Sequence, residues 1–210
     1  MKTIDSEKLA KIRCSLSADY VDRGLVKFND GDLSGCIDET TKALELDPEN
    51  VLAFVYRGIA YAELEDYTAS ITNFDQAIEI NSDFTDAYYH RGLAHLRLLD
   101  FEAAVEDFDN YIEENPEDSL AYYHRGRVYS EMGNHIIAIC DYTTALEIDP
   151  DNAEAFYCRS LGNAELGNTE AAKKDYKSAV ELQPKLSVIT DSMGWKSPDT
   201  FNKCSTKIQS

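Results

Sequence analysis

The chain has 210 residues, of which 43% are hydrophobic, so it is long and apolar enough to form a packed core and is not a disordered chain. Its formal net charge of -19 is concentrated in residues 43–172, which contain 27 acidic residues, six arginines and no lysine. Such a surface repels phosphate groups, which argues against nucleic acid and anionic membranes as partners and favours neutral or basic proteins. The alternative interpretation is that the acidity only keeps the protein in solution.

The five cysteines include no CxxC pair, and no histidines lie near them at the spacing of zinc ligands, which indicates reduced thiols of an intracellular protein. The first fifteen residues are charged and contain no apolar stretch of the kind found in a secretory signal. No segment has the length and apolar character needed to span a bilayer. We therefore expect a cytoplasmic protein without membrane insertion.

A repeat of 34 residues organises most of the sequence. The stretch AYYHRG occurs at residues 87–92 and again at residues 121–126. Each block has an aromatic residue at its fourth position and a small residue at its eighth and twentieth positions; most have an aromatic residue at the twenty-fourth and a proline at the thirty-second. A fixed period of this length indicates a repeat architecture. The five blocks are 17–50, 51–84, 85–118, 119–152 and 153–186.

In chain order, residues 1–16 come first, and the helical spacing of Leu9, Ile12 and Leu16 predicts an N-terminal capping segment that shields the first block. Each block is then predicted to contain two helices, separated by a break such as MGN, where Gly or Asn tolerates a positive φ. The proline near the block end stops the second helix. Residues 187–210 are predicted to form a C-terminal capping helix, with Trp195 covering the last repeat, and a frayed tail.

This pattern of aromatic, small and proline residues resembles the tetratricopeptide repeat (TPR) family over 170 of the 210 residues. Departures from the pattern are Thr40 at the twenty-fourth position, Ser82 at the thirty-second and Tyr111 at the twenty-seventh, where the other four blocks have alanine. The resemblance implies an all-α fold, a right-handed α-α superhelix (TPR solenoid) of five helix-turn-helix repeats with terminal capping helices. It also implies a non-catalytic protein-protein interaction module.

Arginine occupies the seventh position of all five blocks, and the twenty-third position is acidic in four of them, with Asn73 as the exception. One interpretation is a ladder of cations that binds an acidic ligand. The other is a repeated Arg-carboxylate pair between the two helices of each block, because a partly buried arginine needs such a partner. We expect the second arrangement. The arginines are Arg23, Arg57, Arg91, Arg125 and Arg159.

The resemblance places the binding surface on the first helix of each block, facing a concave groove. Read at those positions, the groove is aromatic and largely uncharged, with Arg127 as its one cation. We expect it to bind a neutral to basic peptide or helix of a partner protein, because tyrosines combine apolar area with a hydroxyl group. The alternative is a self-associating scaffold or assembly factor, with a homo-oligomer formed when another copy fills the groove. The predicted groove residues are Val55, Tyr56, Ile59, Tyr89, His90, Leu93, Tyr123, His124, Arg127, Tyr157 and Leu161.

Other functions of the family or of these residue types are not expected. The subset of the family that clamps the C-terminal carboxylate of chaperones needs Lys, Asn and Arg at places where this chain has residues such as Val21 and Tyr56. His90, His124 and Cys158 occupy equivalent positions on first helices roughly 10 Å apart or more, too far to share a metal ion. No phosphate loop or nucleophile motif lies outside the repeat, so we predict no enzyme activity and no cofactor. Protonation of the two histidines is a separate hypothesis for pH-dependent binding.

Overall fold

The computed structural model of the chain describes residues 6–186, which form ten α-helices and no strand. Each block supplies a first helix, with an odd number, and a second helix, with an even number, so the predicted all-α class with five helix pairs is confirmed. No helix within residues 6–186 combines the length and apolar character needed to cross a membrane. The helices are α1 (Ser6–Asn29), α2 (Leu33–Leu46), α3 (Val51–Glu63), α4 (Tyr67–Ile80), α5 (Asp86–Arg97), α6 (Phe101–Glu114), α7 (Ser119–Glu131), α8 (His135–Ile148), α9 (Ala153–Glu165) and α10 (Thr169–Leu182).

The chain divides into two compact units, with the boundary between Tyr111 and Ile112, inside α6. In the first unit, α1 packs on α2, α2 on α3, α3 on α4 and α4 on α5. In the second unit, α7 packs on α8, α8 on α9 and α9 on α10. Neighbouring first helices also contact each other, α1 with α3 and α3 with α5 in the first unit, and α7 with α9 in the second. Each unit is therefore a stack of helix pairs in which the first helices lie side by side.

The two helices of a block cross at the small residue in the eighth position. A Cβ atom added to Gly58 would lie 2.8 Å from the ring of Phe74, and one added to Gly126 would lie 2.9 Å from the ring of Tyr142. Both rings are almost completely buried. Glycine is required at these two positions because the aromatic side chain of the second helix occupies the space that any side chain would need.

The start of α5 differs from the regular spacing. Helices α3, α7 and α9 begin at the first residue of their blocks, whereas α5 begins at Asp86, the second residue of its block. The side chains of Asn50 and Asn152 cap α3 and α9, but the equivalent residue before α5 is Phe84, which packs against the core cluster around Phe74. Helix α5 starts one residue later because Phe84 cannot cap the helix as the equivalent asparagines do.

The N-terminal segment does not shield the first block as we predicted. Residues 6–16 are the beginning of α1, and Leu9, Ile12 and Leu16 are 44%, 43% and 43% exposed. With 24 residues, α1 is longer than the 14-residue α2 that packs against it, so its N-terminal turns extend beyond their neighbour and lie in solvent. The predicted C-terminal capping helix, including Trp195, lies outside the described residues. The proposed domain boundaries stay predictions.

The seventh-position arginines form the predicted pairs with carboxylates of the second helix. The guanidinium of Arg125 donates to both oxygens of Asp141, over 2.9 and 2.7 Å, and that of Arg159 donates to both oxygens of Asp175 over 2.8 Å each. Arg91 binds Asp107 in the same way. These three arginine side chains are only 18–20% exposed, so the carboxylates compensate charges that are largely removed from water.

The same arginines also connect successive blocks. A second nitrogen of Arg159 donates to Thr143 of the preceding block over 3.1 Å, and that of Arg57 donates to Thr41 over 3.1 Å. In Arg91, this nitrogen binds the carboxylate of Asp75 over 2.6 Å. The arginines therefore hold neighbouring helix pairs together, and the interpretation as a ladder for an acidic ligand is not supported.

We predict that Asp175→Ala lowers the free energy of unfolding by roughly 2–3 kcal/mol, because it leaves the charge of Arg159 without its carboxylate. Asp175→Asn, which reproduces the amide that block 2 has at Asn73, should cost less. Chemical denaturation of the three proteins measures this difference. Equal stability of wild type and Asp175→Ala would contradict the structural role of the pair.

Candidate functional site

The predicted groove residues of the first unit lie on α3 and α5, and all but one keep part of their surface in solvent. The exception is Val55, which is 4% exposed and belongs to the core cluster with Phe74 and Ala77. Our assignment of Val55 to the groove is therefore wrong, because its side chain packs against α4 and is not available to a ligand. The partly exposed residues are Tyr56, Ile59, Tyr89, His90 and Leu93.

Tyr89 is the centre of an aromatic cluster in the first unit. Its ring lies 5.9 Å from Phe108 and 5.0 Å from Tyr111, both on α6, and 5.4 Å from the ring of His90. Contacts on several sides fix the orientation of this ring before any ligand arrives. Tyr111 was noted in the sequence only as a departure from alanine at its position, and the structure gives that departure a role, since alanine could not reach Tyr89.

His90 is neutral at physiological pH. Its ring stacks on Phe74 at 5.8 Å, with an angle of 17° between the planes. Burial lowers the pKa of His90 below its ordinary value of 6.5, and the charge of Asp86 opposes this shift only in part. In this environment His90 acts as an aromatic surface, and the sequence-based hypothesis of a charged switch near pH 6 loses support for this residue.

The groove residues of the second unit lie on α7 and α9, and all five are partly exposed. The ring of Tyr123 lies 5.0 Å from His124 and 6.2 Å from Tyr142 of α8, so this tyrosine, like Tyr89, is held by aromatic neighbours. Tyr157 packs beside the buried Ala153 and Leu186. The structure thus brings these predicted residues onto one pair of neighbouring first helices. They are Tyr123, His124, Arg127, Tyr157 and Leu161.

A cluster of neutral polar groups joins α7, α8 and α9 behind this surface. The thiol of Cys158 lies beside the side chains of Tyr123 and Tyr142, close enough for the three groups to influence one another electrostatically. Burial raises the pKa of all three groups, Cys158, Tyr123 and Tyr142, so each is uncharged at neutral pH. On sequence grounds Cys158 was considered only as a metal ligand, and nothing in the repeat spacing alone predicts that it lies beside Tyr123 and Tyr142.

Arg127 lies next to this cluster. Its guanidinium is 5.9 Å from the centre of the Tyr123 ring, within the range of a cation-π contact. The side chain is partly buried. Arg127 is therefore a cation fixed on an aromatic surface.

No group of three or more His, Cys, Asp or Glu side chains within residues 6–186 is placed to hold a metal ion. The face of α3 and α5 and the face of α7 and α9 instead present aromatic rings held by neighbouring rings, together with a few polar groups. Such surfaces bind other molecules by burying apolar area and forming a small number of directed hydrogen bonds.

Comparison with protein families identifies the repeat. Three family models match, described as TPR repeat at residues 58–98 and as tetratricopeptide repeat at residues 89–153 and 161–186. Together they cover more than half of the chain. The chain belongs to the tetratricopeptide repeat family. No curated protein matches the chain.

Solved TPR structures share this fold, which confirms the predicted TPR solenoid class. A crystal structure of MamA protein is 29% identical, with 81% of this chain and 93% of that chain covered and a TM-score of 0.74. YrrB, a TPR protein with an unusual peptide-binding site, is 23% identical over 83% of this chain and 90% of its own, with a TM-score of 0.71. MamA from residue 41 to the end, from Desulfovibrio magneticus RS-1, is 19% identical over 80% and 96%, with a TM-score of 0.76. As a TPR protein, this chain is a protein-protein interaction module.

We predict that His90→Phe makes stability less dependent on pH. In the unfolded chain His90 takes up a proton near pH 6.5, whereas in the folded TPR unit it does so only at lower pH, so stability present above pH 6.5 is lost as the pH falls toward the folded pKa. The free energy of unfolding of wild type relative to His90→Phe should therefore fall by up to about 1 kcal/mol between about pH 7.5 and about pH 5.5. Denaturation at both pH values tests this. Parallel curves for the two proteins would show that burial does not affect His90.

Proposed function

We propose that this TPR protein binds an extended or helical segment of a partner protein on a first-helix face, that of α3 and α5 in the first unit or that of α7 and α9 in the second. The observation that carries the proposal is that tyrosines on these faces, above all Tyr89 and Tyr123, are partly exposed and yet fixed by neighbouring rings. A tyrosine that is already ordered loses little side-chain entropy when it buries its ring against a ligand. The peptide-binding site of YrrB, which shares the fold, supports this type of function for the family.

The partner segment is neutral to basic. Residues 43–172 carry 27 acidic side chains against six arginines, and four of those arginines are the seventh-position residues that hold the helix pairs together. The negative charge of this region would repel an acidic partner, whereas it would not repel a neutral or basic one. Partner charge therefore contributes mainly to the rate of association and to the choice between partners.

We further propose that the chain has no catalytic activity and acts in the cytoplasm. TPRs are a family of non-catalytic interaction repeats, which supports the first statement. Reduced thiols at all five cysteines, as expected from their spacing, would support the second.

We predict that Tyr89→Ala and Tyr123→Ala each weaken peptide binding by roughly ten- to hundredfold, because each removes an ordered aromatic anchor. Wild type is used to select from a displayed library of random linear peptides, and affinities of the selected peptides are then measured by calorimetry. The matched control is Tyr67→Ala, since Tyr67 is a partly buried tyrosine that belongs to the second helix α4 and not to a first helix. Full binding by both tyrosine variants would move the site elsewhere on the protein.

The second candidate function is a self-associating scaffold, and the observation in its favour is the exposed strip of Leu9, Ile12 and Leu16 on α1. Three leucine or isoleucine side chains at helical spacing form an apolar helix face of the kind that pairs with another copy. If this strip drives association, the mass from light scattering rises with protein concentration, and Leu9→Ser with Leu16→Ser restores the monomer. A monomeric wild type over the accessible concentration range would exclude the scaffold.

A further inference from the structure

Arg127 differs from the other partly buried arginines of the described chain. Arg91, Arg125 and Arg159 each face a carboxylate of their own block, and Arg57 donates to the amide of Asn73 and the hydroxyl of Thr41. Arg127, within the described residues, forms no hydrogen bond and no ion pair. Because a partly buried guanidinium presents five donors in a rigid fork, this leaves strong hydrogen-bonding capacity unused.

Helix α7 shows the contrast on one element. Arg125 and Arg127 are two residues apart and therefore point to different sides of the helix. Arg125 is turned toward α8 and is bound by Asp141. Arg127 is turned toward the face that α7 shares with α9, where its only partner among the described residues is the ring of Tyr123. The repeat provides a carboxylate for the first arginine and none for the second.

The groups around Arg127 do not neutralise its charge. Tyr123, Tyr142 and Cys158 are near enough to interact with it electrostatically, but burial raises the pKa of each and keeps them uncharged. The acidic residue that acts on this cluster is Glu154, an exposed residue of α9, which is not within ion-pair distance of Arg127 in the described structure. In a protein of net charge -19, an uncompensated cation at this place is notable because carboxylates are abundant elsewhere.

From this geometry we infer that Arg127 binds the side-chain carboxylate of a single Asp or Glu in the partner segment, with the Tyr123 ring as the platform beside it. The inference rests on the proposed function and adds the ligand chemistry at one position. A carboxylate would accept two parallel hydrogen bonds from the guanidinium, and the neighbouring aromatic rings would reduce the competing water.

The acidic side chain of the partner stands alone among neutral or basic residues. A segment with several acids would be repelled by a protein of net charge -19, whereas a single acid can be satisfied by the guanidinium of Arg127. We assign the carboxylate to a side chain because Arg127 is partly buried, and a side chain can reach it while the peptide backbone stays above the tyrosines. The protein thus disfavours acidic partner segments in general but requires one acidic side chain at the position that contacts Arg127.

The test uses the intact chain and the peptides that wild type selects from the random library. Each selected peptide is compared with its version in which the acid is changed to the corresponding amide, and with its version amidated at the C-terminus. Binding is measured by calorimetry to wild type, to Arg127→Gln, and to Arg97→Gln as the control, since Arg97 is an exposed arginine near the end of α5 and its loss changes the net charge equally. Thermal unfolding is measured to check that Arg127→Gln is folded, which we expect because the Arg127 side chain forms no hydrogen bond in the described structure.

We expect the selected peptides to share one Asp or Glu, and its change to the amide to weaken binding to wild type about ten- to hundredfold. The same change should have no effect on binding to Arg127→Gln, and Arg97→Gln should behave like wild type. Arg127→Glu should prefer peptides in which the acid is replaced by lysine. C-terminal amidation should leave all affinities unchanged.

Three outcomes would overturn the inference, and they differ in whether the proposed function also fails. If the selected peptides need Tyr123 but carry no acid and bind Arg127→Gln as well as wild type, the carboxylate site is absent and the proposed function stands. If C-terminal amidation abolishes binding and the change of the acid to the amide does not, the carboxylate is that of a chain end, and the side-chain assignment is wrong. If wild type selects no peptide that depends on Tyr89 or Tyr123, the proposed function fails together with the inference.

Discussion

The close crossing of the two helices in a block is the constraint on which the rest of the structure depends. At Gly58 and Gly126 the backbone of the first helix lies directly against an aromatic ring of the second helix, with no space for a Cβ atom. This contact sets the distance between the helices and buries Phe74 and Tyr142 almost completely. It also brings the carboxylates of the second helix within reach of the seventh-position arginines, so that the same crossing permits the Arg-Asp pairs.

The crossing in block 4 connects the core to the candidate site. Because Gly126 has no side chain, Tyr142 can lie against α7, where the centre of its ring is 6.2 Å from that of Tyr123. This contact holds the Tyr123 ring in place, and the guanidinium of Arg127 lies 5.9 Å from the centre of that ring. A packing requirement inside the helix pair thus determines the position of a tyrosine on its surface, and the site is ordered by the core and not by loops.

The sequence predicted the features that repeat and missed those that do not. The 34-residue period was sufficient to place all five helix pairs and the Arg-carboxylate pairs, because each depends on a residue type found at the same position of most blocks. Val55 was misassigned because its face of α3 is covered by Phe74 and Ala77, a matter of packing that the position number does not contain. The exposed start of α1 was missed because helical spacing predicts an apolar face but does not identify what covers it.

This difference also explains why function is expected at the irregular residues. A residue present in every block, such as the seventh-position arginine, stabilises the packing of the helix pairs. Its polar groups form hydrogen bonds with other residues of the repeats. The ninth position is apolar in four of the five blocks and is an arginine only in α7. Within the described residues, Arg127 contacts the ring of Tyr123 but has no carboxylate partner for its charge. A partly buried charge without a partner is costly, and a carboxylate from a bound partner, as we infer, would compensate for that cost.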